Sequence, residues 1–168
     1  AKHVCEIQVK KQKEPIFNAV LESILIEGNN REFYQCRTTM TDITGRKQAE
    51  IALEESEKRY RHLFENSPIG IYRTTPDGRI LMANPALIQM LGYSSLEELT
   101  FRNLEKEGYG PSYSRSRFKE IMKREGETRG LEASWMTKDK SLIFVRENAR
   151  TVRDKDGSIL YYDGTVED

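Results

Sequence analysis

Histidines, cysteines and acid–base pairs are where a chain does most of its chemistry, and here they are few. The sequence holds two histidines, His3 and His62, and two cysteines, Cys5 and Cys36. None stands in a metal-ligand spacing, so a zinc site or a disulfide framework is excluded. Two reduced thiols are the expected state, and a Cys5–Cys36 bond is open only if the two fall on neighbouring strands. No phosphate loop, dinucleotide fingerprint or paired-histidine motif is present. After residue 67 no serine has a histidine to serve as its base. His62, within "RYRHLFEN", reads as a solvated helix side chain, without the context of a phosphoacceptor. The chain is therefore expected to be non-catalytic.

Composition narrows the partners. The 27 basic and 27 acidic residues cancel, so no net field draws the chain to nucleic acid or an anionic membrane. "SYSRSRF", residues 112–118, mixes basic and aromatic residues as a nucleic-acid binder does, but with zero net charge it reads as a solvated helix start. No apolar run approaches the roughly 18 residues of a membrane span, and the first residues lack the order of a signal peptide. A cytoplasmic location is expected, with attachment of a parent protein to a membrane left open.

The elements that position these residues come in one and a half copies. "KQKEPIF" (11–17) resembles "KDKSLIF" (138–144), and "IEGNNREFYQCRTTMTD" (26–42) matches "VRDKDGSILYYDGTVED" (152–168) in layout. Both copies read strand, polar turn, strand, polar turn, strand, a three-stranded antiparallel meander. About sixty residues upstream of residue 128 have no counterpart before Ala1, so the first copy is expected to be partial. Val4, Ile7 and Val9 are assigned to its apolar face.

Residues 45–66 join the copies as a helix. Ala49, Leu53, Ser56, Tyr60 and Leu63 recur at spacings of four and three, the seam of a coiled coil. That seam makes either a parallel homodimer or a surface helix lying on its own domain.

The second copy is complete, over 67–168. Strands are expected at 69–74 and 79–83, joined by Pro76-Asp77-Gly78. Asn84 before Pro85 caps a helix that Gly92 ends. Ser95 with Glu98 has the spacing of a capping box for "SLEEL". A helix over Tyr113–Arg124 turns Phe118, Ile121 and Met122 inward. The closing strands are placed at 128–136, 143–153 and 158–166. The fold class is α+β: a five-stranded antiparallel sheet with short helices on one face, preceded by a linker helix and a partial second sheet over 1–44.

"FENSPIGIYRTTPDGRILMANPALIQMLGY" (64–93), with the closings "TDIT" and "GTVED", resembles the PAS family of sensory modules in bacterial and archaeal signalling proteins. The resemblance spans nearly the whole chain. It implies a regulatory module feeding an output domain, such as a histidine kinase, elsewhere in the polypeptide. It also implies that Asp42 and Thr44 form a signalling corner, with Arg46 and Lys47 near enough to pair with Asp42, and that Asp168 is the equivalent of Asp42. Relatives hold haem or flavin, but the helix at 113–124 has no histidine and 67–168 has no cysteine. Haem and cysteine-linked flavin are disfavoured; an unknown small organic ligand stays possible. The family layout turns Val145, Glu147 and Ala149 inward. Glu147 would then face a cation such as Arg73 or a ligand's donor, unless a bulge turns it to solvent. Trp135 and Tyr162 stack on a planar ligand or simply fill the core.

Overall fold

The computed structural model describes residues 2–10, 15–27, 34–107 and 114–168. It divides into two compact units, residues 1–59 and 60–168. The first holds β1 (Lys2–Val9), β2 (Phe17–Glu27) and β3 (Tyr34–Asp42), an antiparallel sheet in the order β1-β2-β3. Helix α1 (Thr44–Glu65) follows and runs on into the second unit. In the sheet Cys5 lies opposite Leu21, and Cys36 opposite Leu25, with β2 between their strands. Strands only about 4.8 Å apart would be needed for a bond, so both thiols are free and exposed.

Strand pairing also corrects the assigned apolar face. Ile7 and Val9 share it with Cys5, but Val4, an odd number of residues from both, pairs with Glu22 on the opposite side.

The second unit has β4 (Gly70–Thr74), β5 (Ile80–Ala83), α2 (Pro85–Met90), α3 (Leu96–Thr100), α4 (Leu104–Glu107), α5 (Arg115–Glu125), β6 (Glu127–Met136), β7 (Leu142–Arg153) and β8 (Ile159–Glu167). The sheet order is β5-β4-β8-β7-β6, all neighbours antiparallel. Two distant sequence segments thus meet at the β4–β8 pair. Local chemistry explains the elements. Gly78 takes φ 84° in the hairpin turn, where a side chain would strike the backbone of Glu105. Asn84 accepts from Leu87 N at 3.1 Å as the N-cap of α2, and its amide donates to Ile69 O at 2.9 Å. One buried side chain therefore ties the start of α2 to the entry of β4, where Asn84 also accepts from Ile71 N at 2.8 Å.

The expected capping box is half formed. Ser95 Oγ accepts from Glu98 N at 3.2 Å, but the Glu98 carboxylate takes the amide and hydroxyl of Ser94 at 2.9 and 2.8 Å. Lys138 pairs with its other oxygen. Together these hold Glu98 down to about 2. Phe118 and Met122 of α5 are fully buried, and Tyr113 lies outside the described residues.

Over their central ladders, between the bulges at Thr128/Leu131 and Val152/Arg153 of the second sheet, the two meanders repeat at a constant spacing. Leu21 lies between Cys5 and Met40, as Glu147 lies between Leu131 and Val166, each pair of equivalents 126 residues apart. The same spacing relates Phe17 to Ile143, not to Phe144 as the shared Ile-Phe pair indicated. Lys11 and Lys13 of that alignment lie outside the described residues.

Candidate functional site

Alternation along β7 buries Val145, Glu147 and Ala149 and exposes Phe144 and Arg146. Glu147 is fully buried and faces the helices; the bulge beside it, at Thr128/Leu131, lies on β6, and the register of β7 with β8 runs through Glu147 unbroken. Its Oε1 accepts the hydroxyl proton of Tyr72, which is 3 % exposed. Tyr72 opposes Gly164 on β8, the strand lying between β4 and β7. Any Cβ at Gly164 would land inside the Tyr72 ring. Glycine in mid-strand is thus what lets the phenol cross β8.

Trp135 lies beside this pair, its ring 6.1 Å from that of Tyr72 and tilted. Tyr162 stands at Phe118 edge-on, ring centroids 5.1 Å apart, and the Arg115 guanidinium lies 5.2 Å from its centroid. Trp135, Glu147 and Tyr162 therefore all enter the interior, and the first two meet through Tyr72.

Arg73 does not join them. Being one residue from Tyr72, it points through the other face of the sheet, where it donates two hydrogen bonds to the Asp163 carboxylate at 2.6 and 3.0 Å and lies 3.9 Å over Tyr161. The Asp163 carboxylate raises the Arg73 pKa. Pleat parity, not charge, decides which side chain meets Glu147.

Two further residues are interior: Arg102 carried no sequence signal, and Arg115, with Phe118, is buried although its stretch read as a solvated helix start. Arg102 Nη1 donates to Met136 O at 2.7 Å, and Arg115 Nη2 to Thr75 O at 2.8 Å. Both are buried, and their acceptors are backbone carbonyls far off in the sequence. Gly164 did carry one, the isolated glycine of "YYDGTVED".

Tyr72, Thr74, Leu99, Arg102 and Trp135 help line an interior cavity of about 20 Å³. That is room for about one water.

In the first unit, Asp42 Oδ1 accepts from Thr44 N at 2.8 Å, and the hydroxyl of Thr44, then its amide, hold the Asp42 carboxyl below its usual range. Thr44 does not cap the following amides. Its Oγ1 instead accepts from Asn18 N on β2 at 2.9 Å, while Ile43 N donates to Asn18 O at 2.8 Å. Arg46 and Lys47 pair with Glu6 of β1, at 3.5 and 2.5 Å, rather than with Asp42. The reason is geometric: Asp42 is occupied by the Thr44 amide, and Glu6 stands on the adjacent sheet face.

Along α1, Ala49, Leu53, Ser56, Tyr60 and Leu63 are all exposed. Tyr60 stacks on Phe64 at 6.0 Å, and its hydroxyl reaches Met82 Sδ at 3.7 Å. Asp168, at the end of β8, is exposed. Among the described residues no cluster of histidine, cysteine and carboxylates could hold a metal, and no helix is long and apolar enough to cross a membrane.

Comparison with known proteins agrees with this geometry. A family model described as PAS fold matches residues 58–168. The sensor histidine kinase TmoS of Ectopseudomonas mendocina is 33% identical over 102 residues, covering 58% of this chain and 10% of that protein. The probable diguanylate cyclase DgcE of Escherichia coli K12 is 29% identical over 119 residues, covering 69% of this chain and 11% of that protein. The chain thus spans about a tenth of the length of these relatives. The crystal structure of the PAS domain of an HTR-like protein from Haloarcula marismortui matches with TM-score 0.58 at 22% identity, over 73% of this chain and 98% of that one.

Proposed function

The chain belongs to the PAS family, and from that membership we propose that it is a sensory and signal-relay module of a longer signalling protein. It is homologous to PAS modules of sensor histidine kinases and diguanylate cyclases. In this reading a histidine kinase or similar output domain lies elsewhere in the polypeptide, on the cytoplasmic side, and the module works as a homodimer through α1.

The observation that carries the relay is the corner at Asp42. Three bonds join the first turn of α1 to the backbone and end of the sheet: Asp42 to Thr44 N, Thr44 Oγ1 to Asn18 N, and Ile43 N to Asn18 O. A change of strand position there must move or release the helix start, because the bonds leave no slack between them. The test is Asp42→Ala and Thr44→Ala in a longer chain carrying an output domain. Output is expected to stop following the stimulus while 67–168 stays folded. Normal coupling in both variants reduces the corner to a helix cap.

A second reading is a ligand-free dimerisation and spacing module, favoured by the cavity of about 20 Å³ among buried aromatic and aliphatic side chains. Neither reading uses haem or cysteine-linked flavin, since 67–168 contains no histidine and no cysteine. An organic ligand would have to open the space around Trp135, Glu147 and Tyr162. Native mass spectrometry of freshly purified protein separates the two: a co-purified small molecule supports sensing, and protein mass alone supports the spacer.

A further inference from the structure

Residues 92–102 connect α2 to α4, and both ends of this segment are tied to one short stretch at the end of β6. At the near end Lys138 N donates to Leu91 O at 2.9 Å, and Gly92 follows with φ 76°, which turns the chain out of α2. At the far end Arg102 Nη1 donates to Met136 O at 2.7 Å. Between the two, Lys138 Nζ pairs with Glu98 of α3 and lies 6.0 Å from the centre of the Tyr93 ring. Lys138 thus grips the segment through its backbone and through its side chain. The turn that presents it is itself braced: Asp139 Oδ1 accepts from Thr137 Oγ1 at 2.5 Å and from Ser141 N at 3.1 Å, and Thr137 N donates to Ser141 O at 3.0 Å.

Beside the segment lies the cavity of about 20 Å³, with Leu91, Leu99 and Arg102 on one side and Tyr72 and Trp135 on the sheet side. Trp135 is 4 % exposed, so the cavity is shut. What shuts it is thinly anchored. Leu99 is the one buried apolar residue of 92–102, and α3, with five residues, is too short to hold its place by its own backbone. The Lys138–Glu98 pair is 48 % and 33 % exposed, where solvent screens it and little is lost on parting. A segment with one apolar anchor and exposed polar ties opens before the sheet beneath it does.

We propose that residues 92–102 are a strap over the interior and that Lys138 is its latch, so that releasing Lys138 opens the cavity beside Trp135 to small molecules from solvent. The opening is local. Leu104 N stays bonded to Gly78 O at 3.0 Å and Asn103 stays bridged to Arg79, which makes this end the hinge. The latch belongs to the fold and holds under either functional reading.

Trp135 is the single tryptophan of the chain, so acrylamide quenching of its fluorescence in the full chain reads access to the cavity. Lys138→Met keeps the aliphatic stem and removes the cation; its quenching constant is expected to rise about threefold over the native chain, with the amide of residue 138 exchanging faster in step. Glu98→Gln should do the same from the other side of the pair, and Lys138→Arg, which keeps the cation, should stay at the native value. Lys119→Met breaks a pair of similar exposure elsewhere in the domain, Lys119–Glu105 at 2.9 Å, and should leave Trp135 as it is. Urea unfolding of every variant confirms that quenching is compared among folded chains. Unchanged quenching in Lys138→Met overturns the latch, as does an equal rise in Lys138→Arg. An equal rise in Lys119→Met also overturns it, by showing a general loosening of the domain. Faster exchange at residue 138 without added quenching would leave the strap closed over a freed turn, and that result sinks the proposal too.

Discussion

Tyr72 donates its phenolic proton to Glu147 across an intervening strand, passing over the bare backbone of Gly164. Both partners are buried, so each satisfies a group that water cannot reach.

Removing the phenol should therefore cost more than an ordinary surface hydrogen bond. Tyr72→Phe is expected to destabilise the domain by about 1–3 kcal/mol, the usual penalty for stranding a buried partner. Urea unfolding measures it. A loss below a few tenths would mean that Glu147 is served adequately by its other surroundings.

Gly164→Ala acts on the same pair by a different route. The added methyl overlaps the Tyr72 ring, and overpacking of this kind costs about 1–3 kcal/mol. A double variant with Tyr72→Ala should recover part of the loss, because the ring that clashes is gone. Additive effects in that cycle would refute the close approach.

Arg73 and Asp163 pair on the outer face, at 33 % and 21 % side-chain exposure. Solvent screening limits their coupling to about 1 kcal/mol despite the bidentate geometry. A double-mutant cycle with Arg73→Ala and Asp163→Ala should return that figure, and Arg73→Ala should leave the Tyr72–Glu147 pair untouched. A shift in the Tyr72 or Trp135 spectra of Arg73→Ala would place Arg73 in the interior after all.

Glu98 gives the module an acid-sensitive junction. Its pKa falls from 4.5 to about 2, chiefly through Lys138 and then through the amide and hydroxyl of Ser94. A depressed carboxylate stabilises the fold above its unfolded pKa and loses that effect as pH falls through the folded one. The thermal midpoint of the native chain should exceed that of Glu98→Gln at neutral pH, and the two should converge as pH approaches about 2. A constant gap would assign the difference to something other than ionisation.

Leu53 tests the seam. It is 61 % exposed in the single chain, so Leu53→Glu should leave the monomer's stability unchanged. In a parallel dimer it would place two carboxylates together in the seam, at a cost of about several kcal/mol. Sedimentation should show a dimer for the native chain and a monomer for the variant. Equal dimerisation would rule the seam out.

Much of this arrangement was legible in the sequence because it rests on local chemistry. Asn84-Pro85 announces a cap, Asp77-Gly78 a turn, and the alternation of β7 a half-buried strand. The partner of Glu147 was not legible by charge matching, which selected Arg73. Counting pleat positions selects Tyr72, and the glycine opposite it on β8 was the available clue. Arg102 and Arg115 stayed hidden for another reason. Their burial depends on carbonyls of Met136 and Thr75, which only the folded chain brings near. At the corner Asp42 and Thr44 are both competent caps, and only the position of Asn18, which takes the Thr44 hydroxyl, decides between them.

The constant spacing of the two meanders also makes them interchangeable parts. Exchanging β1–β3 for β6–β8 would keep the partners of the central ladders in step, with the register differing only where the second sheet bulges at Thr128/Leu131 and Val152/Arg153. What such a recombinant would change is polarity, for Leu21 occupies the place of Glu147. Duplication of this unit, in a genome or at the bench, can thus vary what the interior tolerates without renegotiating how the strands align.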